Sequence, residues 1–352
     1  MELDDWARLW LQSPSLNTIG VDWRGSDGRI DHMELRQTAP EQHDTLRPHT
    51  TSIGLITAAE GGELSVDAIP VDIAGERQAV PAAVGRAMPL FVFPNHGDHD
   101  YALAELDPVS LDFALERLPD VPDPLLRQQV WSTLWELVRA ARLPSNEYLE
   151  AVRQFAPRET DRALVQSIID RAAVVQRRYV PEALLVSTAH ALTGSAIAAL
   201  RSTDDQDLRL IWARAAVTLA ASAEDVDQLL DLIDGRWTVP DFVPDQQLRW
   251  SLASKALAFE LEGADERLET ERIRDRSDRG QRAAIRAEVG RPDEVVKQAA
   301  WDRIHGEGYG SDYLTRSAIM GFQWVHQREV LMPFREPFYA HIADVYASRD
   351  HT

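Results

Sequence analysis

The spacing of apolar residues changes once along this 352-residue chain. At the start, Trp6, Leu9 and Trp10 fall on one face at i, i+3 and i+4, and Ser13-Pro14 closes the segment, which predicts a short helix over residues 1–12. From Thr18 to Leu106 the apolar positions alternate: Ile19, Val21 and Trp23, then Met33 and Leu35, Ile53 and Leu55, Leu64 and Val66. Val71-Asp72-Ile73 and Leu90-Phe91-Val92-Phe93 add two further strand-like pieces. Turn-forming clusters separate them, at Gly25-Ser26-Asp27-Gly28, Glu60-Gly61-Gly62 and Gly75-Glu76. This spacing predicts a small antiparallel β-sandwich over residues 18–106.

At Leu106-Asp107-Pro108 the alternation stops, and Pro119, Pro122 and Pro124 precede a period of about 3.6 residues that holds almost to the end. Leu126, Val130, Leu134, Leu137 and Ala141 form one stripe. Tyr148, Leu149, Val152 and Phe155 form another behind Ser145, and Leu208, Ile211, Trp212, Ala215 and Leu219 a third. Leu-Arg pairs near a Trp open helices at Arg127, Arg209 and Arg249, which are 82 and 40 residues apart. That is close to two units and one unit of a helical-hairpin repeat of HEAT or armadillo size. An amphipathic hairpin needs neighbours to bury its stripe, so the expected architecture for residues 107–352 is an all-α helical-repeat superhelix.

Composition narrows the function. The 44% apolar content is that of a folded protein. No run of about 18 apolar residues is seen, and the acidic start Met1-Glu2-Leu3-Asp4-Asp5 is unlike a signal peptide. There is no cysteine, which excludes disulfides and thiolate chemistry and fits a cytoplasmic location. A net charge of −20 repels phosphate backbones, so neither nucleic acid nor membrane is expected as a partner.

Catalytic patterns are missing. No His-Glu-x-x-His, no Gly-x-Ser-x-Gly elbow and no phosphate-binding Gly-rich loop occurs. Of the ten His only His96 and His99 are close together, in a string that reads as a turn, so no metal ligand and no catalytic residue is assigned. One segment stands out. Seven Arg between Arg272 and Arg291 face only Asp275, Asp278 and Glu288. Two readings stay open: a solvated face with helix ion pairs, or guanidinium groups that receive an anion such as a peptide carboxylate. Arg276 and Arg279 are the candidate substrate-binding residues, because they flank Ser277-Asp278 and Gly280 lets a backbone approach closely.

Several strings carry a resemblance. Trp6-Ala7-Arg8-Leu9-Trp10-Leu11 with Leu16-Asn17-Thr18 resembles the segment by which zinc aminopeptidases of the aminopeptidase N family leave the catalytic domain. Leu46-Arg47-Pro48-His49 is similar to a string before a strand of that family. Phe93-Pro94-Asn95 to Asp100-Tyr101-Ala102 resembles the hairpin closing its sandwich. Asp275-Arg276-Ser277-Asp278-Arg279-Gly280, Lys297-Gln298-Ala299-Ala300-Trp301 and Gly321-Phe322-Gln323 resemble its late helical repeats. The resemblance covers essentially the whole chain and implies a C-terminal, non-catalytic portion of a peptidase that removes N-terminal residues from peptides. It implies that residues 1–17 are the tail of a catalytic domain, that 18–106 act as spacer, and that 107–352 cap the active-site chamber. The implied zinc belongs to the catalytic domain, and the implied partners are the catalytic and N-terminal domains of the same polypeptide and peptide substrates. The alternative is a stand-alone helical-repeat adaptor that binds a protein partner.

Overall fold

The computed structural model describes residues 2–59 and 61–348. Met1, Glu60 in the predicted turn, and the last four residues of the predicted helical region lie outside the described residues. The chain divides into two compact units, the first ending at Arg171 and the second beginning at Ala172.

The first unit opens with helix α1 (Leu3–Trp10) and seven strands: β1 (Thr18–Ser26), β2 (Arg29–Thr38), β3 (His49–Ala58), β4 (Leu64–Ile73), β5 (Arg77–Ala79), β6 (Phe91–Phe93) and β7 (Leu103–Glu105). They form two sheets, ordered β5-β2-β1-β7 and β4-β3-β6. Val21, Ile30, Met33 and Leu35 of one sheet meet Ile53, Leu55, Ile69, Ile73 and Val92 of the other in a single core. The β1–β2 hairpin turns at Asp27-Gly28, both at positive φ (48° and 76°), the backbone that a tight two-residue connection needs and that Gly adopts without cost.

Three strand expectations change. Leu64-Val66 and Val71-Ile73 are one ten-residue strand, paired with β3 from Ala58↔Leu64 to His49↔Ile73. Pro70 does not interrupt it because β4 lies at a sheet edge, where a missing N–H costs no ladder bond. The sheets are mixed and not wholly antiparallel, since β7 pairs parallel to β1. For the same reason β6 and β7 are not a hairpin: the chain crosses from one sheet to the other through Asn95–Asp100. Asn95 holds that crossing, its Oδ1 accepting from Thr51 Oγ1 (2.7 Å) and its Nδ2 donating to the Asp100 carbonyl (2.8 Å).

A buried polar network ties α1 to the sheets. The Arg47 guanidinium donates to the carbonyls of Leu9 (2.8 Å), Ser13 (2.9 Å) and Pro14 (3.1 Å), and sits 5.6 Å over the Trp10 ring. The Leu9 carbonyl lies in the last turn of α1, so the cation also complements the negative end of the helix. His49 bridges Asp100 (2.9 Å) and Asn17 (3.3 Å), with Trp10 edge-on to its ring. Burial alone would push the Asp100 carboxyl up. The His49 bond and the amides of Tyr101 and Thr50 outweigh it and hold the group below its usual range.

Helices follow at once: α2 (Pro108–Arg117), α3 (Pro124–Arg139), α4 (Ser145–Phe155) and α5 (Arg162–Arg178). The strands end at Glu105 and α2 begins at Pro108, yet the first compact unit runs on to Arg171. Specific bonds explain this. The Ser110 hydroxyl accepts from the Val92 amide (2.8 Å), Gln129 donates to the Asn95 carbonyl (2.6 Å), and Phe113 packs on Phe91 at 5.5 Å. The second unit contains the end of α5, then α6 (Glu182–Ser202), α7 (Gln206–Leu219), α8 (Ala223–Ile233), α9 (Gln246–Ala258), α10 (Ala264–Arg274), α11 (Asp278–Val289), α12 (Glu294–His305), α13 (Asp312–Phe322), α14 (Arg328–Leu331) and α15 (Arg335–Ser348). By length and composition α6 alone among the described helices is able to cross a bilayer, but Leu185, Ala189, Leu192, Ala196 and Leu200 are buried in the protein and the helix packs on α7.

A common start recurs. Asp123, Asp161, Asp205 and Asp245 each accept from a backbone amide at the start of α3, α5, α7 and α9, and each stands three residues before a buried Leu (Leu126, Leu164, Leu208 and Leu248). Their spacings are 38, 44 and 40 residues.

Candidate anion-binding surface of the helical region

The turn between α10 and α11 carries the two candidate arginines. Asp275 builds it: one carboxylate oxygen accepts from the Ser277 amide (3.1 Å) and hydroxyl (2.6 Å), the other from Trp250 Nε1 (2.9 Å). The Ser277 bonds first, then that of Trp250, hold the Asp275 carboxyl below its usual range. Ser277 in turn caps α11 by accepting from the Gly280 amide (3.2 Å). Gly280 is required there, because a Cβ would lie 2.1 Å from the Asp275 carbonyl oxygen. Trp250 thus fixes the turn from α9, and the Asp275 carboxylate is taken up by backbone, hydroxyl and indole donors.

That arrangement takes the Asp275 carboxylate away from the neighbouring cations. Arg276 and Arg279 are exposed and make no hydrogen bond or ion pair with a described residue. The other arginines of the cluster divide. Arg272 pairs with Glu269 (3.0 Å) and Glu288, Arg274 with Glu271 (2.7 Å), and Arg291 with Asp265. Arg282 donates to the Asp278 carbonyl (3.1 Å) and lies 5.5 Å over the Tyr313 ring. Arg279, Arg282 and Arg286 stand at i, i+3 and i+7 on α11 and so share one face. The ion-pair reading of the cluster therefore describes Arg272, Arg274 and Arg291, and leaves Arg276 and Arg279 uncommitted.

Sequence reasoning passed over two further cations. Lys255, on α9, donates to the carbonyls of Thr218 (3.4 Å) and Ala220 at the end of α7. Its surface is partly open, but protein packs densely around the ammonium. Burial first, and then the Arg177 and Arg286 charges, depress its pKa to about 7. The Arg286 guanidinium is lowered by burial and by Arg177. Asp225, buried and bonded to His190 at 2.7 Å, is the acid that acts on Lys255 in the opposite sense. Neither Lys255 nor Arg177 belongs to a charge run in the sequence; only the folding of α5, α9 and α11 brings them within electrostatic range.

The residues present do not fit a zinc site. Among the described residues no group of three or more His, Asp or Glu is placed to hold a metal. The rings of His305, His326 and His341 each meet a backbone carbonyl, at 2.9, 2.9 and 2.7 Å, and His49 lies between Asp100 and Asn17. His96, in the turn after β6, is 4.0 Å from the single carboxylate of Asp123.

The order of sheets and helices finds its counterpart in known proteins. Residues 91–352 match the family of ERAP1-like C-terminal domains, and the chain belongs to that family. It is also 31% identical, over 99% of its own length, to Aminopeptidase N of Streptomyces lividans. The chain spans 42% of the length of that relative. The two matches together mark it as similar to a C-terminal region of an aminopeptidase N.

Proposed function

We propose that this chain is the non-catalytic C-terminal portion of a zinc aminopeptidase, closing over a peptide chamber built by other domains of the same polypeptide. The sheets serve as spacer, α1 is the exit from the catalytic domain, and the stacked hairpins form a HEAT-like superhelix that caps the chamber. The zinc and its hydrolytic chemistry belong to the catalytic domain, and no step of that chemistry runs through residues of this chain. The lack of cysteine fits a cytoplasmic setting.

One observation carries the binding role. In a protein of net charge −20, Arg276 and Arg279 are exposed and without acids on a turn held rigid by Asp275, Trp250 and Gly280. A peptide engaged by its N-terminus still presents a carboxylate at its far end, and two guanidinium forks on a fixed turn are a suitable receptor for it. In the full-length enzyme, the Arg276→Ala/Arg279→Ala pair should raise KM for short peptides about tenfold and leave single-residue anilides unchanged, since these lack the carboxylate. Equal effects on both substrate types would refute the role.

A further inference from the structure

We propose that a cavity between α8, α9 and α10 is a binding site for a small organic carboxylate, with Arg249 as its receptor. The cavity measures about 260 Å³. Leu230, Ile233 and Leu252 supply an apolar floor, and Arg249, Arg267 and Arg274 place three guanidinium groups along it. Two of the three are already committed. Arg267 grips Asp234 with both terminal nitrogens (2.7 and 2.5 Å), and Arg274 bonds Glu271 (2.7 Å), whose other oxygen accepts from Gln246 (2.7 Å). The side chain of half-buried Arg249 makes no hydrogen bond or ion pair with a described residue.

Its counterparts show that this is not what the position requires. Arg127, Arg209 and Arg249 each follow a helix-capping Asp by four residues. Arg127 bonds Glu159 twice (2.7 and 2.8 Å) and the Val121 carbonyl (2.8 Å). Arg209 reaches back to the Thr203 carbonyl (2.9 Å). In both cases the guanidinium fastens the loop before its own helix. The Arg249 side chain lines the cavity instead. A half-buried cation with no acceptor beside an apolar floor is complementary to a carboxylate on a compact hydrocarbon body. Phosphate satisfies the cation and leaves the floor bare. The α10–α11 turn plays no part in this site, so it stands apart from the peptide-carboxylate role of Arg276 and Arg279.

The test titrates the full chain with isovalerate, isovaleramide and inorganic phosphate at fixed ionic strength and reads the thermal midpoint. Isovalerate should raise it saturably, with a dissociation constant on the order of 1 mM, while the amide and phosphate leave it within error. Arg249→Gln should weaken isovalerate about tenfold or more, Arg249→Lys several-fold, and the Arg276→Ala/Arg279→Ala pair not at all. Arg249 holds no other group, so both of its variants should melt with the parent when no ligand is present, which separates lost binding from lost folding. The proposal is overturned if isovalerate gives no saturable shift, if the shift survives in Arg249→Gln, or if phosphate or the amide matches isovalerate.

Discussion

Arginines in the two parts of this molecule have opposite fates. In the sheet region Arg47 is 3% exposed and gives its guanidinium to three carbonyls in the last turn of α1 and the segment that follows it. In the helical region Arg276 and Arg279 stand exposed on a turn where the Asp275 carboxylate is taken up by Trp250 and Ser277. The difference is one of backbone supply. A chain leaving α1 at Leu11 and entering β1 at Thr18 presents carbonyls with no helical or strand partner, and a buried cation answers them. Between α10 and α11, Ser277 satisfies the helix start and Asp275 closes the turn, so nothing in the backbone calls for a guanidinium. A cation with a full set of protein partners maintains the fold; one without partners is available to a ligand.

The largest expected effect breaks the first half of this contrast. Arg47→Ala leaves three part-buried carbonyls without their donor and removes a cation–π contact. It should cost about 3 kcal/mol in urea unfolding followed in the sheet region. A loss under about 1 kcal/mol would show that water replaces the guanidinium without penalty.

Lys297 extends the committed class into the helical region. It is fully buried, donates to the carbonyls of Val289 and Phe322 (both 2.8 Å), lies 5.3 Å over the Phe322 ring, and has no acid partner among the described residues. Burial depresses its pKa from 10.5 to about 8. The folded state therefore releases this proton at lower pH than the unfolded chain, and the cost of burying the charge is present below about pH 8 and gone above about pH 10.5. Against Lys297→Met, which has nothing to titrate, the wild type should gain roughly 2–3 kcal/mol of stability across that window. A flat difference between the two proteins would mean that the ammonium is hydrated in the folded state.

Much of the fold was legible because periodicity reports burial directly. The alternation of Ile19, Val21, Met33 and Leu35 and the stripe Leu126, Val130, Leu134 are core faces, and each of these residues is buried. The parallel β1–β7 pair was not legible, because Leu103-Ala104-Glu105 is too short for a pattern and its partner lies far away in sequence. The continuity of β4 through Pro70 was hidden for a related reason: whether a proline is tolerated depends on whether the strand is an edge. At the candidate surface, the local excess of arginine marks a segment of the sequence, and Gly280 sits at the tight turn between α10 and α11. Which arginines remain uncommitted depends on Trp250, 25 residues before Asp275, reaching the carboxylate that the adjacent arginines were expected to use. Lys255 carries no local signal and Arg249 only that of a helix start, because their surroundings are assembled from separate helices.

The central claim is that the uncommitted cations of the α10–α11 turn receive a peptide carboxylate. Calorimetric titration of the chain with one peptide, as the free acid and as the C-terminal amide, tests it most directly. The account predicts that the acid binds about tenfold tighter or more, and that the difference persists in Arg249→Gln. It predicts that the difference vanishes in the Arg276→Ala/Arg279→Ala variant, whose stability should stay within about 0.5 kcal/mol of the parent because neither side chain holds another group. Acid and amide binding alike, or a preference for the acid that survives the loss of both arginines, would contradict it.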